Sequence, residues 1–222
     1  MAELQDSAWL LRRVAYGDTS YIIHFLGRTQ GRFTLMARGA RRPKSPFRAS
    51  LEPLHALQLT WRAGRTGMGT LTDVERGEMC MDMSRSFEGL QLCAVAAQLF
   101  RDGDPHGFDE LQRAFSLLAG RQPDIGLLAG VWQLLSDSGL IGPLDHCWQC
   151  ANAATDLGWQ NAELHCLDCG GGDVVSVGLR RAIAALMHSA TVRMSVRDLT
   201  MWQAMIQDVL RRHGLKPMNA CR

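Results

Sequence analysis

Four cysteines in two matched pairs constrain this chain more than any other feature. Cys147 and Cys150 are separated by two residues, and Cys166 and Cys169 repeat the spacing after fifteen more. Two thiolates at that spacing grip one ion from a tight turn, and two such turns supply a tetrahedron of soft sulfur ligands. Cys147, Cys150, Cys166 and Cys169 are therefore the expected ligands of one structural Zn²⁺. Four thiolates leave no open coordination position, which argues against a catalytic zinc. His146 and His165 stand beside the pairs and are alternative ligands. Uncommitted thiols and iron–sulfur or redox use are the competing readings. The aliphatic residues between His146 and Cys169 (Ala153, Ala154, Leu157, Leu164, Leu167) show neither helical nor strand period. Metal binding is thus expected to provide the folding free energy of this segment, of order 10 kcal/mol in small zinc peptides. Trp148 and Trp159 are expected to cover the knuckles. The cysteine count is seven, and Cys80, Cys93 and Cys221 lack partner spacing. That pattern favours a reducing cytoplasm over a disulfide scaffold, with Cys80 and Cys93 as small buried hydrophobes. Met1 to Ser7 has no signal-peptide pattern, and no apolar run approaches a membrane span.

The second constraint is electrostatic. Gly27 to Arg48 holds seven cations, Arg28, Arg32, Arg38, Arg41, Arg42, Lys44 and Arg48, and no acid. Phe33, Leu35 and Ala37 alternate with Thr34, Met36 and Arg38, which predicts a strand. Gly39 to Pro46 predicts an exposed loop. A cationic loop with nothing acidic to neutralise it suits a polyanion; the bland alternative is a solvated loop with spare charge. The net charge of +2 conceals an asymmetry. Residues 1–65 carry eleven of the 24 Lys and Arg but four of the 22 acids, a net of +7, which leaves −5 for the remainder. This predicts a nucleic-acid-facing module followed by a different one. Of the 24 cations only Lys44 and Lys216 are lysine. Arginine preference fits phosphate contact, and a GC-rich genome produces it equally well. Tyr21, Phe25, Phe33, Phe47 and Trp61 are candidate base-stacking aromatics. Most are expected in the core, with Phe47, in the Pro-flanked loop, the best placed to stack.

The order of elements follows from periodicity. Trp9–Val14, Tyr21–Leu26, Arg32–Ala40, Leu57–Arg62 and Gly69–Glu75 read as five short strands without helical period between them. That predicts a small closed barrel, an OB-fold or, as the competitor, an SH3-like barrel. From Ser84 the period becomes helical. Helices are expected from Ser84 to Asp102, over Phe108–Leu118, from Asp124 to Ser138, over Leu179–His188, and from a capping box at Ser195 to Gly214. Their apolar stripes, Trp132 and Trp202 included, are expected to be core. The fold class expected is α+β, a five-stranded OB-fold barrel (1–80) followed by an all-helical domain (81–222) with a zinc-binding insertion (145–172). No phosphate-loop, H-E-x-x-H, nucleophile-elbow or deaminase signature occurs, so binding is favoured over catalysis.

These residues carry a resemblance. The strand Leu11–Val14, the turn Tyr16–Ser20, the run Gly31–Ser45 (GRFTLMARGARRPKS) and the motif Leu51–Leu54 (LEPL) together resemble the RecO family of bacterial recombination mediators, most specifically over Gly31–Ser45. Asp18 stands where the family usually has Glu. The resemblance implies an OB-fold that binds single- and double-stranded DNA, and a helical domain with a zinc knuckle; the reading of charge and aromatics above supplies the candidate DNA-binding residues, Arg28, Arg32, Arg38, Arg41, Arg42, Lys44, Phe47 and Arg48. It also implies strand annealing, and partnership with RecR and single-stranded DNA-binding protein in loading RecA, in the cytoplasm at the nucleoid. An OB-fold RNA-binding module is the alternative reading, and an undetected hydrolase or nucleotidyltransferase a third.

Overall fold

The computed structural model describes residues 3–64, 67–153, 155–188 and 190–218. Arg65, Ala154, Cys221 and the end of the tail lie outside them. The chain forms two compact units, Met1–Ala119 and Gly120–Arg222.

The first unit is built on β1 (Glu3–Tyr16), β2 (Ser20–Gly27), β3 (Gly31–Ala37), β4 (His55–Arg62) and β5 (Gly69–Met79), with a one-turn helix α1 (Phe47–Ser50) between β3 and β4. The strand order is β1-β2-β3-β5-β4, and β4 returns to β1 to close the sheet. β1 is long enough to serve two partners. Its first half pairs with β4 and its second with β2, and Ala8 faces both Leu57 and Gly27. A bulge between Leu10 and Arg12 turns the strand at this handover. Alternate side chains point inward, so Leu10, Ile23, Phe25, Leu35, Leu57, Leu59, Trp61 and Leu71 form one core, joined by Ala40 and Leu51 from the connections. The last pairing is narrow. β3 and β5 run parallel and meet only at Leu35–Gly69 and Met36–Thr70. Gly69 permits the approach, because a Cβ there would lie 2.8 Å from the Trp61 ring.

Trp9 sits between inward-facing neighbours and so points away from the sheet core. It stacks on Phe108 at 5.4 Å, meets Phe115 edge-on at 5.1 Å, and donates its indole N–H to the Phe108 carbonyl. This contact binds α3 (Phe108–Ala119) to the strands; α2 (Ser86–Leu99) precedes it in the same unit. The stretch between those helices also docks. Gly103 N–H donates to the Arg32 carbonyl, and Gly31, at φ +62°, lies so close to the Asp104 carbonyl that no Cβ would fit.

In the second unit, α4 (Pro123–Asp137) places Trp132 between Trp159 (6.4 Å) and Trp202 (6.1 Å). A three-stranded antiparallel sheet, order β7-β6-β8, is formed by β6 (Leu157–Gln160), β7 (Glu163–Cys166) and β8 (Asp173–Val175). The helices α5 (Val177–Met187) and α6 (Val196–Arg212) follow. Ser195 caps α6, accepting from Asp198 N–H and donating to its carboxylate, as the capping-box pattern predicts.

The expected fold class is corrected. The five-stranded sheet does not stand alone as an OB-fold barrel, since its fifth pairing is a two-residue contact and two helices pack against it as part of one unit. The two compact units divide after Ala119, so α2 and α3 fall in the first unit with the strands. The remainder is not all-helical, because 157–175 forms a sheet. The strand period missed in that segment is present: Leu157, Trp159, Leu164 and Cys166 are buried, and Leu157 faces Cys166 while Trp159 faces Leu164. Counting aliphatic residues alone obscured it, because Trp159 and Cys166 fill two of the four positions. The hairpin turn, Asn161-Ala162, has both residues at positive φ. Its sequence lacks the glycine that normally advertises such a turn.

Asp6 is the internal cap of the β2–β3 turn. It is buried, and its carboxylate accepts from Thr29 N–H at 3.0 Å and Gln30 N–H at 3.0 Å. Charge-assisted bonds of this kind contribute about 1.5–3 kcal/mol. Asp6→Ala should therefore lower stability by about 1–3 kcal/mol, read as a shift of the urea midpoint. An unmoved midpoint would mean that the turn holds itself.

Candidate nucleic-acid interface and metal centre

The structure sorts the seven cations of 27–48 into two groups. Arg32 donates to the carbonyls of Ala97 (2.7 Å) and Phe100 (3.2 Å) and pairs with Asp102 at 3.0 Å. It ties β3 to the end of α2. Arg28 lies over the Phe108 ring at 4.6 Å and 3.9 Å from Asp109. Both serve packing within the first unit. Arg38, Arg41, Arg42, Lys44 and Arg48 are exposed, and none forms an ion pair with a carboxylate among the described residues.

The connection that displays them is pinned at both ends. Ala40 and Leu51 are buried in the sheet core. Gly39 takes φ +68°, and Arg41 N–H donates to the Thr19 carbonyl. The Arg41 guanidinium donates to the Gly17 carbonyl at 2.8 Å and lies 5.9 Å from the Tyr21 ring; Arg13 approaches the same ring at 5.9 Å and donates to the Leu51 carbonyl. With only ten residues between these anchors, the cations of that stretch are left facing solvent. His24 adds no charge at neutral pH. Burial, and then the positive charges of Arg32 and Arg12, hold its pKa below the usual range.

Each candidate stacking aromatic has a place. Phe25, Phe33 and Trp61 form a continuous stack inside the sheet, with centroids 5.7 and 5.1 Å apart. Phe47 opens α1 and packs, half-buried, on the same core, as does Tyr21. The loop therefore presents charge, with its one aromatic turned partly inward.

In the second unit, the Sγ atoms of Cys147, Cys150, Cys166 and Cys169 all lie within 4.8 Å of one another. Local structure aims them. Cys166 ends β7, and Trp148 N–H donates to the Leu164 carbonyl, which joins the first knuckle to that strand. Ala151 at φ +58° and Gly170 at φ +122° close the two turns. Arg180, buried on α5, donates to the carbonyls of Leu144 (2.9 Å) and Thr155 (2.6 Å), on either side of the first knuckle. Asp208 on α6 accepts from Trp159 Nε1 (3.1 Å) and Ala162 N–H (2.9 Å) and braces the hairpin turn.

The donor set fits a tetrahedral ion. Cys150 and Cys166 Sγ are 3.7 Å apart, and sulfur–metal bonds of about 2.3 Å in a tetrahedron require an edge of about 3.8 Å. The electrostatics agree. Burial opposes ionisation of Cys147, but backbone N–H groups of Cys166, Cys150 and Gln149 outweigh it and bring the thiol to about 6. Contacts with the Cys166 and Cys150 thiols, and then burial, push Cys169 up to about 12. Four thiolates gathered this closely need a cation to compensate their charge. The histidines stand outside the set: His146 pairs with Asp145 at 2.7 Å and His165 lies 3.5 Å from Glu163. Trp159 is buried beside the sheet, whereas Trp148 is largely exposed and does not cover its knuckle. The four cysteines are a potential structural metal site. Cys80 and Cys93 behave as packing residues, with burial pushing both thiols up to about 12.

Charge separates the two sites. From 122 to 179 there is no Lys or Arg, and the acids of that stretch include Asp145, Asp156, Asp168 and Asp173.

The family model for the recombination protein O N-terminal domain matches residues 1–78. The chain is similar to the DNA repair protein RecO of Actinobacillus pleuropneumoniae serotype 7, 39% identical over 83 residues, which is 37% of this chain and 34% of that protein. It is 32% identical over 147 residues to the RecO of a Polaromonas species, 63% and 59% of the two chains. To the RecO of Acidithiobacillus ferrooxidans it is 27% identical over 233 residues, 98% and 89%. The matched stretch thus spans about a third of the Actinobacillus protein.

Metal analysis of protein purified without chelator should return about one tightly bound ion per chain. Cys166→Ser should abolish it and lower the thermal midpoint by several degrees, at roughly 2–4 °C per kcal/mol for a chain of this size. A metal-free wild type would overturn the site.

Proposed function

The chain belongs to the RecO family, and from that premise we propose that it acts in DNA repair by binding the phosphate backbone of DNA through the pinned loop of its first unit. The observation that carries this reading is the set of five exposed cations, Arg38 just before the buried anchor Ala40 and Arg41, Arg42, Lys44 and Arg48 between it and Leu51, none with a carboxylate partner among the described residues. Arginine forks match phosphate oxygens, and a loop fixed at both ends loses little entropy on binding. The aromatic residues are occupied in packing, so recognition rests on charge and is indifferent to base sequence. Single- and double-stranded DNA are then both ligands. Arg28 and Arg32 support the surface from behind.

We propose further that the protein promotes annealing of complementary strands and, with RecR, helps to load RecA on DNA coated by single-stranded DNA-binding protein. Neutralising phosphate without reading bases suits annealing, because it removes the repulsion between strands and leaves base edges free to pair. The protein works by binding and not by catalysis. The second unit contributes a Zn²⁺ held by Cys147, Cys150, Cys166 and Cys169. When bound, the ion supplies a fixed charge-compensated crosslink between two knuckles, while Arg180 and Asp208 hold the flanking backbone.

Replacing Arg41, Arg42 and Lys44 with Ala should weaken binding to all DNA sequences about equally. It should also reduce the log–log salt slope by about 0.9 per lost contact on duplex and about 0.7 on single strands. Annealing of strands coated with the cognate single-strand-binding protein should fall in parallel. An unchanged slope would reduce the loop to a solvated feature, and a preference for RNA over DNA at equal length would favour the RNA-binding reading.

A further inference from the structure

The sulfur quartet is unevenly accessible. Cys147 and Cys166 are buried, Cys169 is half-buried, and Cys150 is exposed. Any reagent from solvent therefore meets Cys150 first. Behind it, 3.7 Å away, lies Cys166 on the opposite knuckle. Cys150 belongs to a turn, whereas Cys166 is fixed at the end of a paired strand. A disulfide would close that gap to roughly 2.05 Å.

We propose that Cys150 is an oxidation site, and that a hydroperoxide converts Cys150 and Cys166 into an inter-knuckle disulfide that expels the metal. This rests on the metal reading above. The chemistry has two steps. The Cys150 thiolate attacks one peroxide oxygen, the O–O bond breaks, and a sulfenic acid and hydroxide form. The Cys166 thiolate then attacks the sulfenic sulfur, the S–O bond breaks, and a disulfide and a second hydroxide result. Two thiolates lose one electron each, the peroxide is reduced by two, and the products take up two protons from water or buffer. The ion loses two of four ligands, one from each knuckle, and two remaining sulfurs cannot hold it.

The consequence is local to the second unit. The sheet pairing at Leu157–Cys166 and the braces from Arg180 and Asp208 do not involve the sulfurs. The oxidised protein should therefore keep its helices and β6–β8 pairing while losing the metal. Dithiothreitol with added Zn²⁺ should restore it.

The test starts from full-length protein whose zinc content has been measured. It is treated with hydrogen peroxide while a chromogenic chelator reports released metal, and the disulfides are mapped by peptide mass spectrometry. The expected result is about one zinc lost per disulfide formed, with Cys150 joined to Cys166. Cys150→His keeps a four-ligand Cys₃His site and removes the exposed thiol; its zinc release should be much slower. Retained zinc, a Cys147–Cys150 or Cys166–Cys169 link, or release from Cys150→His at the wild-type rate would each overturn the proposal. If the starting protein holds no zinc, the metal reading fails by itself. Mapping the oxidised apo-protein would then decide the sulfur pairing separately, and a Cys150–Cys166 bond would uphold that part.

Discussion

The first unit depends on one strand pairing on both sides. β1 hands over from β4 to β2 at Ala8, and the bulge after Leu10 provides the turn that makes both pairings possible. Without it the sheet would have two free edges and the inward side chains no common interior. The same strand sends Trp9 the other way, into α3. A three-residue apolar run, Ala8-Trp-Leu10, therefore builds two interfaces on opposite faces of the sheet. The position of the cationic loop follows, since its anchors Ala40 and Leu51 are buried in the interior that β1 closes.

Charge is used differently in the two units. In the first, cations that could have faced a ligand are divided between packing and display. Arg32 satisfies the carbonyls at the end of α2, where a helix C-terminus favours positive charge. In the second, the buried Arg180 has only carbonyl partners for its two terminal nitrogens, and burial, followed by the neighbouring Arg181 charge, lowers its pKa. That is a costly arrangement for a surface brace, and it is concentrated at the flanks of the metal knuckle. The knuckle thus combines a cluster of four sulfurs at its centre with backbone clamps at its edges.

The five strands and five long helices were legible from period alone, because each buries one face and the apolar spacing records which. The clustering of the four cysteines was legible from spacing alone, because two short turns of this kind bring their sulfurs together in few arrangements. The cationic run was legible as charge. What local pattern left undecided were contacts between residues far apart in the chain. Nothing around Arg32 signals that its partners stand at Ala97, Phe100 and Asp102, and nothing near Trp9 points to Phe108. Those contacts decide that two helices belong with the sheet, and that Arg28 and Arg32, unlike the other five cations of the run, are engaged with α2, α3 and the residues between them. Phe47 likewise reads as a loop aromatic until the core it leans on has been assembled. The small sheet β6–β8 was hidden because its inward positions are filled by Trp159 and Cys166 as well as leucine, and its turn by alanine held in a left-handed conformation by Asp208, 46 residues away. Sequence by itself determined the elements and the ligands, which depend on near neighbours. Tertiary structure decided which side chains were left free to act, because that depends on what else is buried beside them.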